Sequence, residues 1–246
     1  MPETMQTITL LENRSAAPGQ HLLTFTRPEG WPFRAGQFAR LGLSESGSEP
    51  IFRAYSIAGA PDELVLRFLV KHVEGGALSP RLTSLRKGSE VLLDGDAQGN
   101  LLPERIPGGS DLWLFATGSG LAPFLSLLSD RSARSAWSRT VLVIGARTLA
   151  ETEGLKALAQ ERAAEGDLIL TAASREDGPL TGRLPALFES GALEAAAGLA
   201  ISPEASRVLL CGNPDFIKAM RALFKARGMV SPRFGKPGQL LVESLW

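Results

Sequence analysis

Residues that build covalent or metal-linked redox centres are scarce in this sequence. Only one of its 246 residues is cysteine, Cys211, and only two are histidine, His21 and His72. A disulfide framework, a Cys-x-x-Cys redox pair and a cysteine-ligated iron–sulfur cluster each need at least two cysteines, so a single cysteine excludes all three. These counts also disfavour a metal site built from His and Cys ligands.

An excess of charge and a long hydrophobic run are missing too. Lys and Arg together number 26, as do Asp and Glu, which argues against a nucleic-acid partner. Apolar runs such as residues 112–116 and 141–146 have the length of strands rather than of membrane spans. The N-terminus lacks the basic-then-apolar order of a secretory signal. We expect a cytoplasmic monomer without membrane insertion.

The first hundred residues are typical of a small antiparallel β-barrel. Short alternating or apolar runs are separated by turn sequences rich in Pro and Gly. One segment differs, because Ser79-Pro80 precedes an apolar-periodic stretch and predicts a short helix over residues 78–85 with Ser79 as its N-cap. The predicted strands cover residues 4–11, 21–26, 38–43, 51–57, 64–70 and 90–93.

The hydrophobic period changes beyond residue 103. Near-continuous apolar runs now alternate with helical patterns, which implies right-handed crossovers and a parallel sheet covered by helices on both faces. The sequence therefore predicts two domains, an N-terminal antiparallel β-barrel over residues 1–104 and a C-terminal α/β parallel-sheet domain over residues 105–246. The predicted strands cover residues 112–116, 141–146, 168–173, 208–211 and 240–242, and the helices 121–128, 152–165, 184–190 and 215–227.

A glycine-rich turn follows the first strand of the second domain. Thr117, Gly118 and Gly120 precede a helix that has Pro123 in its first turn. Glycines let a backbone approach a diphosphate closely, and a helix N-terminus offers free N–H groups and a partial positive charge. The alternative is a simple tight turn between strand and helix, because this is not the full Gly-x-Gly-x-x-Gly fingerprint.

Arginines follow the next two strands. Arg147 ends the second strand, Ser174-Arg175 ends the third, and Arg183 lies in the loop beyond it. An arginine at this place can accept the 2′-phosphate of NADP(H), whereas enzymes specific for NAD carry an acidic residue there. Any one of these arginines could be a solvated surface charge, but three at equivalent positions favour NADP(H).

A further strand leads through Cys211, Gly212 and Asn213 into a helix that begins near Pro214. Asn213 is suited to cap that helix, and the strand end points at the same crevice as Thr117. Cys211 is interpreted either as a small buried hydrophobe or as a non-nucleophilic wall for a nicotinamide ring.

Arg53, Ala54, Tyr55 and Ser56 end a strand of the barrel, and Tyr55 is the only tyrosine of the chain. A guanidinium group for a diphosphate, an aromatic ring for stacking and a hydroxyl for a ring nitrogen are what a flavin nucleotide requires. A mixed edge strand is the alternative. The glycine-rich turn before Ser79 offers a second place suited to an anion.

The order of these motifs resembles the bacterial ferredoxin/flavodoxin–NADP reductase family. The resemblance extends over nearly the whole chain, up to the terminal Trp246, and implies an FAD-binding barrel followed by an NADP-binding α/β domain. It departs from the family at Leu245, where close relatives often have tyrosine, so the partner of Trp246 on FAD stays open between adenine and isoalloxazine. The residues it implies for FAD are Arg53, Ala54, Tyr55, Ser56, Gly76, Ala77, Leu78, Ser79, Thr117 and Trp246.

For NADP the resemblance implies a second set of residues, which overlaps the FAD set at Thr117. It also implies that Tyr55, Ser56, Thr117 and Cys211 surround the reacting rings. No catalytic base is expected, since hydride transfer from NADPH to flavin N5 is the cofactors' own chemistry. The NADP set comprises Thr117, Gly118, Gly120, Arg147, Ser174, Arg175, Arg183, Cys211, Gly212 and Asn213.

The implied partners are ferredoxin and flavodoxin, which carry single electrons. Residues 205–246 hold seven basic and two acidic side chains, a balance that suits an acidic partner, although a solvated helix face would look the same. Three alternatives remain at this point: a flavin reductase, the reductase component of an oxygenase, and a non-enzymatic flavin-binding regulator.

Overall fold

The N-terminal half of the chain forms a six-stranded antiparallel sheet in the order β4-β3-β6-β1-β2-β5. A computed structural model describes residues 5–44 and 49–244. A bridge between Ile57 and Phe68 joins the ends of the sheet, so it closes into a barrel around an apolar interior. The strands are β1 (Gln6–Ala17), β2 (Gln20–Thr26), β3 (Phe38–Leu43), β4 (Ile51–Ser56), β5 (Val65–Lys71) and β6 (Glu90–Gln98).

The short helix of the barrel, α1 (Ser79–Thr83), lies within the predicted segment of residues 78–85, but it begins one residue before the position that a Ser79 cap implies. Its N-cap is Leu78, so the prediction that Ser79 caps the helix is wrong. The Ser79 hydroxyl oxygen instead accepts a hydrogen bond from the backbone N–H of Val73, at 3.2 Å. Ser79 therefore fixes the turn before the helix rather than its first N–H groups.

The C-terminal half forms a five-stranded sheet in the order β11-β10-β7-β8-β9, and all its pairings are parallel. The three central strands, Asp111–Thr117, Arg139–Ala146 and Ser206–Gly212, are buried on both faces, which explains their continuous apolar sequences. The strands are β7 (Asp111–Thr117), β8 (Arg139–Ala146), β9 (Leu168–Ala173), β10 (Ser206–Gly212) and β11 (Leu240–Ser244), and the helices α2 (Ala122–Ser129), α3 (Leu149–Gln160), α4 (Leu184–Glu189), α5 (Ala192–Ala197) and α6 (Pro214–Ala226).

Side chains of β7 divide between the two cores of this sheet. Leu114 packs with residues of α2 and α3, whereas Trp113 and Phe115 pack with residues of α4, α5 and α6. Helices therefore cover both faces, as predicted. The strand order reverses at β7, because β8 lies on one side of it and β10 on the other. In open α/β sheets such a switch point leaves a crevice beyond the carboxyl ends of the strands.

One apolar core continues from the α/β half into the barrel. Ala17, Leu22 and Leu69 of the barrel strands share it with Leu114 and Leu155. Ion pairs border this contact: Arg14 of β1 makes two hydrogen bonds to Glu161, at 3.0 and 3.1 Å. Arg162 donates to Glu63 of the barrel at 2.6 Å, and Arg67 also pairs with Glu63.

The predicted fold class, an antiparallel barrel followed by a parallel α/β sheet, is confirmed. The division at residue 104 stays a prediction. Strands β1 and β6 are longer than predicted. The apolar pattern predicted only their first halves, because their second halves carry polar residues at exposed positions. In the part of the chain that the structure describes, no helix has the length and apolar character needed to cross a membrane.

We predict that the two ion pairs between the halves differ in strength. The side chains of Arg162 and Glu63 are each 19% exposed, whereas those of Arg14 and Glu161 are 42% and 45% exposed. Arg162→Met leaves a partly buried carboxylate with Arg67 alone, and we expect it to lower the free energy of unfolding by roughly 1.5–3 kcal/mol. Arg14→Met is the matched control and should cost less than about 1 kcal/mol. Urea unfolding measures both; equal losses would contradict the prediction.

Candidate functional site

The ends of β7 and β10 meet at the switch point of the parallel sheet. Thr117 Oγ1 accepts a hydrogen bond from the backbone N–H of Asn213, at 3.2 Å. Asn213 Oδ1 accepts from the N–H of Phe216, at 2.9 Å, so Asn213 caps α6 as predicted. A Cβ atom on Gly212 would overlap Thr117 Oγ1, and one on Gly120 would overlap the carbonyl oxygen of Cys211. The glycines therefore allow the two strand ends to approach closely.

A cavity of about 930 Å³ opens beyond these strand ends. The Thr117–Gly118 turn forms one wall, and the residues that follow β8 and β9 form another. Gln20 and Lys71 of the barrel also line it, and neither was predicted as a site residue. Gly120, Cys211 and Gly212 do not line the cavity and lie buried behind it. The predicted residues that line it are Thr117, Gly118, Arg147, Ser174, Arg175, Arg183 and Asn213.

The backbone brings three arginines to one side of this cavity. The N–H of Arg175 donates to the carbonyl of Arg147, at 2.9 Å, which holds the two loops side by side. The N–H of Gly182 donates to the carbonyl of Ala173, at 2.8 Å, and this bond places Arg183 beside the end of β9. All three arginines are exposed. Among the described residues none of the three forms an ion pair.

Carboxylates occupy the N-terminus of α3 beside these arginines. Thr148 and Glu151 form a capping box, and Glu151 Oε2 also accepts from the N–H of Arg147, at 2.7 Å. Glu176 Oε2 accepts from the N–H of Leu149, at 2.6 Å. Because these N–H groups have partners, the guanidinium groups are the cationic donors left for an anion on this side of the cavity.

The predicted flavin motif lies on the edge strand β4. Arg53 and Ala54 are exposed, Tyr55 is partly buried and Ser56 is buried, so strict alternation fails at Ala54. The Arg53 guanidinium donates to the carbonyl of Phe52, at 2.7 Å, which leaves further N–H donors. Burial raises the pKa of Tyr55 to about 12 despite the opposing charge of Arg53, so its phenol is neutral at physiological pH.

Ser56 connects the barrel to the last strand of the parallel sheet. Its hydroxyl donates to Glu243 Oε1 of β11, at 3.0 Å, and Glu243 stands in register with Cys211 of β10. Burial raises the pKa of Glu243 above its usual value, opposed by the hydrogen bond from Ser56. Burial, helped by the Glu243 charge, raises the pKa of the Cys211 thiol well above its usual range. Cys211 is thus a neutral thiol with no exposed surface.

Sequence reasoning missed Glu243 as a site residue. The signal was available, since Glu243 is an acidic residue directly after the apolar residues 240–242. The predicted diphosphate turn, Gly76 to Ser79, lies on the barrel, leads into the first residue of α1 and does not line the cavity. Trp246, predicted to stack on a flavin, and Leu245 lie outside the described residues.

Comparisons with known proteins agree with this architecture. The family model for the oxidoreductase NAD-binding domain matches residues 114–222. The chain is 41% identical to a flavodoxin/ferredoxin–NADP reductase of Shigella flexneri, over 87% of this chain and 88% of that relative. It is 35% identical to ferredoxin–NADP reductase A of Sorangium cellulosum, over 90% and 83%. A flavohemoglobin from Malassezia yamatoensis, 20% identical, shares the fold with a TM-score of 0.78, over 98% of this chain and 60% of that one.

Together with these relatives, the barrel and the parallel sheet identify the chain as an oxidoreductase with a nucleotide-binding α/β domain. A ferredoxin NADP⁺ reductase from Neisseria gonorrhoeae, solved with bound FAD and NADP, superposes with a TM-score of 0.91 at 32% identity and covers 98% of this chain and 99% of that one. The chain belongs to the flavodoxin/ferredoxin–NADP reductase family. The resemblance inferred from the motifs is confirmed.

We predict that Glu243 makes the stability of the protein depend on pH. A carboxyl group whose pKa is raised on folding binds its proton more tightly in the folded state, so its contribution to stability is lost as the pH rises from the unfolded pKa through the folded one. Glu243→Gln removes this loss. We expect the variant to unfold at a higher urea concentration than the wild type at pH 8, with the difference shrinking towards pH 4.

The conservative change Glu243→Asp is the control, because it keeps a titrating group near the same place. Thermal or urea unfolding of all three proteins from pH 4 to pH 8 provides the measurement. A Glu243→Gln variant that is less stable than the wild type at every pH would show that the carboxylate stabilises the fold and would contradict the prediction.

Proposed function

We propose that this protein is a cytoplasmic flavoenzyme that transfers electrons between NADPH and a ferredoxin or flavodoxin through bound FAD. The hydrogen bond between Ser56 and Glu243 carries the proposal. It brings the β4 motif of the barrel to the end of the parallel sheet where the cavity opens. A flavin on β4 and a nicotinamide beyond β7 and β10 would then meet, as hydride transfer requires.

The residues on the barrel fit an FAD molecule. Arg53 has N–H donors left for a diphosphate, and Tyr55 offers a neutral, partly buried ring for one face of the flavin. The Ser79 hydroxyl accepts from Val73 and keeps its own proton for a phosphate oxygen. When bound, FAD supplies the exchange between a two-electron hydride and single electrons.

Ser56, Glu243 and Cys211 control protons and polarity at the proposed meeting point of the rings. The raised pKa of Glu243 lets this carboxyl hold a proton nearer to neutral pH than an exposed glutamate does. The Ser56 hydroxyl donates to Glu243 Oε1, and by rotating it could instead donate to an acceptor on the flavin. Cys211, uncharged and buried, supports the site as a small apolar group and not as a nucleophile.

Three arginines fit the 2′-phosphate that distinguishes NADPH from NADH. Arg147, Arg175 and Arg183 lie on one side of the cavity, and among the described residues their guanidinium groups have no carboxylate partner. Guanidinium groups bind phosphate through two parallel hydrogen bonds, which gives both affinity and orientation. The Thr117–Gly118 turn, on the other wall, suits the diphosphate and the nicotinamide end.

Replacing two of these arginines should therefore change the choice of nicotinamide cofactor. We predict that Arg147→Ala combined with Arg175→Ala raises the KM for NADPH by at least about 100-fold, since the two charged hydrogen bonds together contribute roughly 3 kcal/mol or more. The KM for NADH should change much less, because NADH has no 2′-phosphate. Steady-state reduction of a dye by each cofactor measures the ratio.

Arg139→Ala is the matched control for this experiment. Arg139 is likewise an exposed arginine, but it is the first residue of β8 and lies at the end of the sheet opposite to the cavity. Its removal should leave both KM values unchanged. Equal increases for NADPH and NADH in the double variant would contradict the assignment of the 2′-phosphate.

The exposed face of α6 is the best candidate for docking an acidic electron carrier. Of the seven basic residues between positions 205 and 246, Arg207 and Arg227 are engaged in internal hydrogen bonds. Lys218 and Arg221 are exposed and line a shallow groove with Ser244, the residue next to Glu243. Their charges thus lie beside the proposed redox centre, where complementary charge on a partner steers association.

We predict that Lys218→Glu combined with Arg221→Glu raises the KM for ferredoxin and flavodoxin by on the order of tenfold at low ionic strength. The effect should shrink as salt screens the exposed charges. Reduction of a small neutral quinone by NADPH should be unchanged. Stopped-flow or steady-state assays with the purified carriers measure this difference.

Lys87→Glu is the control. Lys87 precedes the first residue of β6, whereas Gly99 follows its last residue and lies beside Glu243. The length of β6, about 30 Å, therefore separates Lys87 from the proposed redox centre. If this variant loses carrier affinity as much as the α6 variant does, the docking face is wrongly placed. Rapid reduction of free flavin with no reduction of either carrier would favour a flavin reductase instead.

A further inference from the structure

Gln20 is a buried polar residue of the barrel that lines the cavity of the α/β half. It begins β2 and pairs with Lys71 of β5, and these two are the barrel residues among the described residues that line the cavity. Only 1% of Gln20 is exposed. Its side-chain oxygen, Oε1, is buried and, within the described part of the chain, has no hydrogen-bond partner.

A buried acceptor without a donor destabilises the protein, because it has given up its bonds to water and received none in exchange. Leucine or methionine at this position would fill a similar volume without that cost. The face of β2 that carries Gln20 also carries Leu22, which packs into the core shared by the two halves. An apolar residue would therefore suit position 20 structurally, and the carboxamide has no evident role in the fold.

The neighbourhood of Oε1 shows which part of a ligand could reach it. Gly118 has a φ of +55° and lies next to Gln20, because a Cβ atom built on it would stand 4.0 Å from Gln20 Oε1. Gly118 adjoins Thr117, which lies at the switch point beside Asn213. The three arginines lie on the other side of the cavity, beyond β8 and β9. Gln20 thus faces the end of a bound dinucleotide that is remote from the 2′-phosphate.

We propose that Gln20 Oε1 accepts a hydrogen bond from a hydroxyl of the nicotinamide ribose of bound NADP(H). An acceptor oxygen needs a donor, which excludes the diphosphate, whereas the ribose offers hydroxyl groups. The contact would satisfy the unpartnered oxygen and tie the dinucleotide to the barrel, which holds the flavin. This inference rests on the proposed function, because it assumes that the cavity binds NADP(H).

The test is Gln20→Leu in the flavin-loaded enzyme, with Thr24→Val as its matched control. Thr24 lies four residues further along β2 on the same face and does not line the cavity. Its Oγ1 is also buried, and it has no hydrogen-bond partner among the residues that the structure describes. Both variants should be at least as stable as the wild type, since each removes an unsatisfied group. Gln20→Leu should weaken NADP⁺ binding by about three- to tenfold and raise the KM for NADPH and NADH alike; Thr24→Val should change neither.

Unchanged NADP⁺ binding in Gln20→Leu would overturn the proposal, as would an equal loss in Thr24→Val. Should Gln20→Leu fold poorly, Gln20→Met gives the same comparison. The other donor on this half of the ligand is the nicotinamide carboxamide. The 3-acetylpyridine analogue of NADP⁺ lacks that amide: an undiminished loss with this analogue supports the ribose hydroxyl, and disappearance of the loss overturns it.

A fragment separates this inference from the proposed function. Adenosine 2′,5′-bisphosphate contains the 2′-phosphate but no nicotinamide ribose, so its affinity, measured by calorimetry, should be unchanged in Gln20→Leu and lowered in the Arg147 and Arg175 double variant. A wild-type enzyme that fails to bind this fragment contradicts the proposed NADP site. Loss of fragment affinity in Gln20→Leu contradicts the ribose assignment alone.

Discussion

The hydrogen bond from Ser56 to Glu243 joins the six-stranded sheet of the barrel to the five-stranded parallel sheet, which are separate sheets. Glu243 lies on β11, β11 pairs with β10, and β10 pairs with β7, so the position of Ser56 is fixed relative to the strand ends that border the cavity. Burial of the Glu243 carboxyl disfavours its charged form and raises its pKa. That cost is incurred where an edge strand of the barrel meets the open end of the parallel sheet.

A second contact, far from the first along the sheet, fixes the remaining freedom between the halves. There α3 and the residues after it pack on β1, with the apolar core continuous through Leu22 and Leu155 and with Arg162 bound to Glu63. One contact would leave the halves free to pivot, whereas two oppose rotation. Hydride transfer requires the reacting atoms to be held within a few tenths of an ångström of their best separation. A double attachment between the halves therefore suits the proposed chemistry.

Local sequence predicted the elements of this fold well and its long-range contacts poorly. Continuous apolar runs identify parallel strands because both faces are buried, and the Asn213 cap acts within four residues, so both were predictable. Glu243 was counted only as a charge, because its partner Ser56 lies 187 residues away. Gln20 resembled an ordinary strand residue until folding placed it against Gly118. Ser79 was misplaced by one residue, since its alternative partner, Val73, lies outside the helix.

The arginines that stabilise the fold have carboxylate partners, whereas those proposed to bind phosphate have none among the described residues. Arg134, Arg162 and Arg227 each contact a carboxylate, at 2.6–2.7 Å, and stabilise packed regions. Beside the cavity the order is reversed, because Glu151 and Glu176 bond to backbone N–H groups while the neighbouring guanidinium groups have no carboxylate in the described structure. Folding alone does not require that separation, since an ion pair there would satisfy both charges. The result is a group of guanidinium side chains without carboxylate partners, beside a helix N-terminus whose N–H groups are already bonded. Guanidinium groups in such a place suit a phosphate, which they can bind through two parallel hydrogen bonds.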